Sequence, residues 1–443
     1  MEKYDKEADE NNIIETLKND YVENGEYLCS LIRIISSIDC NQTICIDGDW
    51  GTGKTFLVNQ LIYLIQNYKD IKNHQEILSC VKNVNESLKN IAENNLVFYY
   101  NDWANDDHDD PLSSIIYNIL NDYPKYKDEV IEENNYAEAL KNIVKIASKI
   151  VSKKLLDVDL SSEINANKIK TFEDLAENIN TYEERKENFG KLLNLILKDK
   201  RMILIIDELD RCNPRFATKL LEVIKHFYNF KNVTVIIVAN NKGLLSTINH
   251  EYGENFDSYS YLNKFYDYIM TIDNNRSVKY AQNYLKFKSE TYLSHDIFYT
   301  MINKYNFTFR DCNKYRTLYD TVENFIETQT GFFSLNSNEE LLLKLVIIPI
   351  ILSFKIKDYN AYENCLKGNT EELKDAIKYV NYYFNNTIYH KHWLESLIVA
   401  ENDSHQITDE YIANKITNLF LKIYRNDNLN KIFLNRIKMS MQQ

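Results

Sequence analysis

Cysteine is sparse in this sequence and shows no spacing typical of metal ligands. Its seven cysteines are spread over 443 residues, and none of them forms a CxxC pair. Zinc sites and disulfide frameworks show regular cysteine spacings, so neither is indicated. The first residues, Met1 to Lys6, also lack the apolar core of a secretory signal. We therefore expect a protein of the reducing cytoplasm.

The sequence also has no apolar run long enough for a bilayer. Its most apolar stretch, Leu341 to Phe354, contains Lys344 and Pro349, whereas a transmembrane helix needs about 20 apolar residues. We predict a buried helix there, kinked or ended near Pro349 because proline cannot continue the helical hydrogen bonding. No membrane partner is expected.

Positive charge is in deficit. The chain carries 52 Lys and Arg residues against 65 Asp and Glu, a formal net charge of −13. Such a surface repels phosphate backbones, so a nucleic-acid partner is possible only through a local basic groove. Basic residues do gather near the C-terminus, but their spacing also fits the solvated face of an amphipathic helix; they are Lys422, Arg425, Lys431, Arg436 and Lys438.

Glycine is scarce as well, and its distribution is informative. Three of the nine glycines lie in one octapeptide, Gly48-Asp49-Trp50-Gly51-Thr52-Gly53-Lys54-Thr55, which Phe56 follows. This is the complete GxxxxGK[ST] pattern of a phosphate-binding loop, in which backbone N–H groups face phosphate oxygens at a helix N-terminus. A tight strand-to-helix turn would explain the glycines but not the Lys-Thr pair. We predict that residues 48–56 bind ATP, that Lys54 reaches the β- and γ-phosphates, and that Thr55 ligates Mg²⁺.

Five short apolar runs indicate a parallel sheet. They are Thr43 to Ile46, Leu96 to Tyr100, Met202 to Ile206, Val233 to Ala239 and Tyr268 to Ile272. Helical or polar sequence separates them, and the first run leads directly into the glycine cluster. This alternation predicts an α/β fold with a mostly parallel five-stranded sheet covered on both faces.

The third run ends in two carboxylates, Asp207 and Glu208. We predict that Asp207 holds Mg²⁺ through water and that Glu208 polarises the attacking water as a general base. Acidic residues after a strand also serve as helix N-caps. Their pairing with a phosphate-binding loop favours the catalytic interpretation.

Two further polar positions are candidate sensors of the γ-phosphate. Asn240 and Asn241 follow the fourth run, and one of them would be the sensor. An asparagine pair is also common in turns, so a turn without a sensing role is the alternative. Arg310 lies between Thr308 and Asp311, which form a capping-box pattern that places it in the first turn of a helix. A cation there opposes the helix dipole, at a cost below about 1 kcal/mol, so the position either contacts phosphate or is a tolerated mismatch. We assign catalytic roles to Glu208, Lys54, Asn240 and Arg310.

The acidic stretch from Asn101 to Pro111 resembles a metal-binding loop only superficially. It has no glycine for the sharp turn and no closing glutamate. We predict a polar loop in which Asp109 or Asp110 caps a helix that begins near Pro111.

The pattern suggests three regions. Residues 1–24 form a polar N-terminal segment expected at the surface, and residues 25–275 form the nucleotide-binding core. About a hundred residues separate the second and third strands, too many for an ordinary connection, so a helical insertion is predicted at about 105–195, with an amphipathic helix at 139–160. Residues 276–443 are predicted to form a helical lid and a C-terminal helical domain.

Three segments carry a resemblance to a known family. The glycine octapeptide, then Asn101-Asp102-Trp103 before Asp110-Pro111-Leu112, then Ile206-Asp207-Glu208-Leu209-Asp210-Arg211-Cys212 resemble the KAP family of P-loop NTPases. The Tyr261 to Phe265 segment is also similar, and the resemblance spans about residues 25–330. It implies an additional-strand P-loop fold with a catalytic acid and, in bacteria, a frequent link to phage exclusion. Many members carry transmembrane helices between the two nucleotide motifs, whereas the insertion here is studded with lysine.

These observations lead to one main hypothesis and several alternatives. The chain is expected to be an ATPase, a nucleoside-triphosphate phosphohydrolase, that acts as a molecular switch on a protein partner or in a homo-oligomer. A nucleotide-binding scaffold without turnover and a DNA-remodelling motor are the alternatives, and the acidic charge disfavours the motor. A small-molecule kinase is weaker because no second substrate site is visible.

Overall fold

A computed structural model describes residues 7–38, 41–106, 110–126, 182–227, 230, 232–285, 292–328, 337–384, 394–398 and 408–425. The chain divides into two compact units. The larger consists of Ala8–Asp20 and Asn24–Ile272, and the smaller consists of Met1–Glu7, Tyr21–Glu23 and Asp273–Gln443.

The larger unit is built on a five-stranded sheet in which every pairing is parallel. Its strands are β1 (Gln42–Asp47), β2 (Asn95–Asn101), β3 (Arg201–Asp207), β4 (Val233–Ala239) and β5 (Tyr268–Thr271), and their order in space is β2-β3-β4-β1-β5. The five predicted strands are thus confirmed. Strand β4 lies between β1 and β3, as an additional central strand should, and all seven of its residues are buried.

Alternate residues of β2, β3 and β4 enter two different hydrophobic cores. On β3, Met202, Leu204 and Ile206 belong to one core, while Ile203 and Ile205 belong to the other. Because both faces are covered, the strands are continuously apolar rather than alternating, which is why they stand out in the sequence.

Helices flank the sheet. In the described part of the larger unit they are α1 (Glu10–Asn19), α2 (Gly25–Ser37), α3 (Lys54–Gln66), α4 (Tyr68–Ile71), α5 (Gln75–Leu78), α6 (Asn85–Asn94), α7 (Pro111–Asp122), α8 (Tyr182–Leu197), α9 (Pro214–Phe227), α10 (Asn241–Tyr252) and α11 (Ser258–Leu262). Short 3-10 helices occupy Ser79–Val84, Trp103–Asn105, Tyr123–Tyr126, Leu209–Arg211 and Asn263–Phe265.

The N-terminal segment departs from its prediction. It was expected to be a polar surface segment, but α1 packs into the core through Ile13 and Leu17, which are 6% and 1% exposed. These residues are four positions apart, so one narrow apolar stripe on a largely polar helix suffices for docking. The Asp9 side chain caps this helix by accepting from the Asn12 N–H at 2.8 Å.

The predicted insertion falls partly outside the described residues, and so does the amphipathic helix expected at 139–160. Of this region the structure describes α7, the turn that follows it, and α8. Asp110 caps α7 by accepting from the Ser113 N–H at 3.3 Å, and Pro111 is the first residue of the helix, as predicted.

All regular structure in the described part of the smaller unit is helical. Its α-helices are α12 (Ser277–Tyr280), α13 (Tyr292–Lys304), α14 (Phe309–Thr328), α15 (Ser337–Leu342), α16 (Ile348–Lys357), α17 (Tyr359–Leu366), α18 (Glu371–Phe384) and α19 (Asp409–Arg425), with π-helical turns at Ala281–Leu285 and Leu343–Ile347. Its core is a separate hydrophobic cluster.

The apolar stretch around Pro349 forms the buried helix that the sequence predicts. A π-helical turn ends at Ile347, and α16 then begins with Pro349 in its first turn, where a missing N–H is tolerated. The buried Tyr315 hydroxyl donates to the Pro349 carbonyl oxygen at 2.7 Å.

The basic residues Lys422 and Arg425 end α19, whose opposite face is buried through Ile416 and Phe420. Lys431, Arg436 and Lys438 lie outside the described residues. Within the described ranges, no helix combines the length and the apolar character that crossing a membrane requires.

Candidate functional site

The phosphate-binding loop connects β1 to α3, as predicted. Gly51 and Gly53 have φ angles of 88° and 87°, in the left-handed region that glycine adopts without steric cost. At Gly48 the constraint is space, because a Cβ atom would lie 2.9 Å from the Ile272 carbonyl oxygen. Each glycine of the motif therefore has a geometric reason to be there.

Lys54 begins α3 and is 9% exposed. Its Nζ donates to the carbonyl oxygens of Gly48 at 2.6 Å and of Asp49 at 3.1 Å. Burial lowers the pKa of this ammonium, while the nearby carboxylates of Asp210 and Asp207 oppose the shift. The cation therefore lies along the loop, where a phosphate would compensate its buried charge.

Thr55 and Asp207 lie side by side although they are far apart in sequence. The Asp207 carboxylate is 2% exposed, and burial raises its pKa to about 6, while a hydrogen bond with the Thr55 side chain lowers it. The Tyr99 hydroxyl donates to Asp207 Oδ2 at 3.1 Å. One hydroxyl and one carboxylate are the hard oxygen donors that suit Mg²⁺, which takes few protein ligands and completes its shell with phosphate and water. The donor set therefore fits a nucleotide-bound Mg²⁺.

Glu208 has an unusual backbone conformation. Its φ angle is 65°, in the left-handed region that is strained for a residue with a side chain. The Glu208 N–H donates to the Val238 carbonyl oxygen at 3.2 Å and to Asp207 Oδ1 at 2.8 Å, and these bonds hold the main chain in place. Strain of this kind is often found at functional sites.

The two sensor candidates at the end of β4 have different environments. Asn240 is 6% exposed, and its Oδ1 caps α10 by accepting from the Gly243 N–H at 3.3 Å. The Asn241 side chain is bound instead to the Cys45 thiol and to the Tyr266 hydroxyl. Capping uses only the oxygen of Asn240, so its amide N–H groups stay available for a phosphate or a water. Asn240 is the better candidate, and its sensing role stays a prediction.

The other residues of the loop contact neighbouring elements. Thr52 is buried, and its hydroxyl donates to the Asp49 carbonyl oxygen at 2.9 Å. Trp50 is half exposed and donates from Nε1 to Asp210. The Phe56 side chain packs against the hydrophobic core, so α3 can offer a phosphate only the main chain at that position.

Arg310 belongs to the smaller unit, on α14. The capping box is present, since Thr308 Oγ1 accepts from the Asp311 N–H at 3.2 Å and Asp311 Oδ2 accepts from the Thr308 N–H at 3.0 Å. The Arg310 side chain is exposed. Its contact with a γ-phosphate stays a prediction.

The structure adds residues to which the sequence gave no role. The loop after β2 is bonded to the loop after β3, because the Asp102 N–H donates to the Asp207 carbonyl oxygen at 2.9 Å and the Cys212 thiol donates to Asp102 Oδ2 at 3.1 Å. Asp106 Oδ2 also accepts from the Asn213 N–H at 3.0 Å. The sequence marked these residues only as polar clusters after two strands and as part of the family resemblance. Their contacts follow from β2 and β3 being neighbours in the sheet.

Asp102 is a wholly buried acid at the centre of this junction. It is 0% exposed, and its Oδ1 has no hydrogen-bond partner among the described residues. Burial raises its pKa from 3.8 to about 7, which the Cys212 hydrogen bond partly opposes. The protonated form is therefore stabilised in the folded protein.

This shift predicts a pH dependence of stability. Between pH 3.8 and about 7 the unfolded chain has lost the Asp102 proton and the folded chain has kept it, so the free energy of unfolding falls as the pH rises and levels off above about 7. Asp102→Asn should reduce the dependence of the free energy of unfolding on pH. Urea unfolding midpoints measured from pH 5 to 8 report this dependence. The exposed control Asp70→Asn should keep the wild-type slope, and an unchanged slope in Asp102→Asn would show that this carboxyl does not titrate as described.

Comparison with known proteins supports the resemblance noted in the sequence. A search of curated proteins finds no significant match. The family model for the KAP family P-loop domain matches residues 24–338, which is most of the chain and includes β1 to β5. The chain therefore belongs to the KAP family of P-loop NTPases.

Proposed function

We propose that this protein binds and hydrolyses ATP and acts as a molecular switch. The observation that carries this proposal is the meeting of Lys54, Thr55 and Asp207 at the carboxyl edge of one parallel sheet, with Glu208 as the next residue. P-loop NTPases use such an arrangement to hold a nucleoside triphosphate with Mg²⁺. The choice of ATP rests on the family resemblance.

Each of these residues has a definable task. The loop N–H groups and the Lys54 ammonium bind phosphate oxygens, and neutralise charge that develops during phosphoryl transfer. Thr55 and Asp207 would hold Mg²⁺, which would withdraw negative charge from the bound phosphates. Glu208 accepts a proton from the attacking water, and the Asn240 amide orients that water or the γ-phosphate.

The switch requires a part of the chain that responds to the nucleotide. We assign this part to the helical region after residue 275, with Arg310 as its contact to the γ-phosphate and a protein partner or a second copy of the chain as its output. A contact that forms in only one of two conformations stabilises that conformation by the free energy of the contact. We propose that this switch acts in bacterial defence against phage. This assignment rests on the family resemblance.

Glu208→Gln tests hydrolysis. The amide keeps the size of the side chain but cannot accept the proton, so ATP should bind with unchanged affinity while turnover falls by about 100-fold or more. Steady-state phosphate release and equilibrium titration measure the two effects. The control Glu222→Gln, an exposed glutamate on α9, should behave as wild type.

The same experiment separates the alternatives. Equal, slow turnover in wild type and Glu208→Gln would contradict the ATPase and favour a nucleotide-binding scaffold. Turnover that rises on addition of duplex DNA would favour a DNA-remodelling motor over the proposed switch.

Arg310→Ala tests the switch. If Arg310 contacts the γ-phosphate, the variant should keep most of its affinity for ADP but lose the preference for ATP, and limited proteolysis should no longer differ between the two nucleotides. Lys314→Ala removes another exposed cation from the same helix and should change neither property. Equal loss of ATP and ADP affinity in Arg310→Ala would assign the residue a structural role.

A further inference from the structure

Both carboxylate oxygens of Glu208 are held by side chains. Oε2 accepts from Asn101 Nδ2 at 3.1 Å, and Oε1 forms an ion pair with Arg211 Nη1 at 2.5 Å. The Glu208 side chain is 14% exposed and that of Arg211 is 28% exposed, so the pair is partly shielded from solvent. Charge-assisted contacts of this kind are stronger than those between neutral groups.

The contact with Asn101 holds the Glu208 carboxylate on the β2 side of β3, away from the phosphate loop. Asn101 ends β2, and the sheet order places β2 on one side of β3 while β4 and then β1, with its phosphate loop, lie on the other. A general base must come within hydrogen-bond reach of the water that attacks the γ-phosphate. The Glu208 carboxylate therefore has to leave Asn101 and turn toward β4 before it can act.

The main chain around this contact cannot easily make that movement. The Glu208 N–H is bonded to Val238 and to Asp207, and the loops after β2 and β3 are joined through the buried contact between Asp102 and Cys212. The movement is therefore a change of side-chain rotamer, with the guanidinium of Arg211 as the principal restraint.

Arg211 is itself held by an exposed aromatic residue. Its guanidinium carbon lies 5.5 Å from the ring centroid of Trp103, a distance at which a cation is attracted to the face of the ring. Trp103 is 53% exposed, so it is the part of this cluster that a partner can reach. The three residues form a connected series from the surface to the general base: Trp103, Arg211 and Glu208.

We propose that Arg211, with Asn101, is a positioning residue that restrains Glu208, and that release of this contact sets the rate of ATP hydrolysis. The proposal rests on the proposed ATPase function. Trp103 stabilises the restrained arrangement, and a protein partner that displaces its ring would speed hydrolysis without touching the nucleotide.

Arg211→Ala should raise kcat by about 5-fold, the scale of one partly exposed ion pair, and leave the KM for ATP unchanged. Asn101→Ala and Trp103→Ala should raise kcat in the same direction by smaller factors, because each removes one support of the restraint. In a Glu208→Gln background, Arg211→Ala should have no effect, since the restrained group is gone. Arg215→Ala is the matched control, because Arg215 is 82% exposed and pairs with Glu251 instead.

A damaged fold would lower kcat in all three variants, so the shared increase distinguishes restraint from a structural role. A fall in kcat in Arg211→Ala, with Asn101→Ala and Trp103→Ala no faster than wild type, would overturn the proposal and assign Arg211 to the reaction itself. Unchanged kcat in all three would also overturn it. Absence of any turnover in wild type and in every variant would instead contradict the proposed ATPase function.

Discussion

The hydrogen bond between Thr55 and Asp207 is the contact on which the site depends. It joins the first turn of α3 to the end of β3, two strands away across the sheet. Burying a carboxylate there is unfavourable, as its raised pKa shows. The hydrogen bonds from Thr55 and Tyr99 partly offset this cost. The same contact fixes the loop, the candidate Mg²⁺ ligands and the proposed general base with respect to one another.

The order of strands in the sheet brings residues from separate sequence motifs together in one site. The carboxyl ends of β1, β3 and β4 lie at one edge, where ligands bind in open α/β sheets. Asp207 ends β3, Asn240 directly follows β4, and Lys54 follows β1 after the phosphate loop. The outer strand β2 adds Asn101, which contacts Glu208 and is separated from the phosphate loop by the intervening strands. One edge thus carries the residues proposed for the reaction and the residue proposed to restrain Glu208.

The sequence predicted the local elements well. Strands β1 to β4 are buried on both faces, so they are continuously apolar and could be located without a structure. Strand β5 is largely exposed, and its apolar composition alone marked it in the sequence. The phosphate loop was identifiable because scarce glycines coincide with Lys54 and Thr55. The docking of α1 was missed because its two buried residues, Ile13 and Leu17, form a stripe too narrow to stand out. The contacts of Asn101 with Glu208, of Asp102 with Cys212 and of Arg211 with Trp103 could not be predicted, because each joins residues about a hundred positions apart and depends on β2 and β3 being neighbours. The ion pair between Glu208 and Arg211 spans only three positions, but the sequence does not show that these two side chains meet.

We propose that the loop from Gly48 to Thr55 binds ATP through Lys54. Equilibrium titration of ATP with Mg²⁺ into wild type and Lys54→Ala tests this binding, with Lys72→Ala, an exposed lysine of the same unit, as control. Loss of a charged hydrogen bond at the phosphates should weaken binding by about 10- to 100-fold or more, while wild type and Lys72→Ala bind equally. Equal ATP affinity in all three proteins would contradict the proposed role of Lys54 in ATP binding.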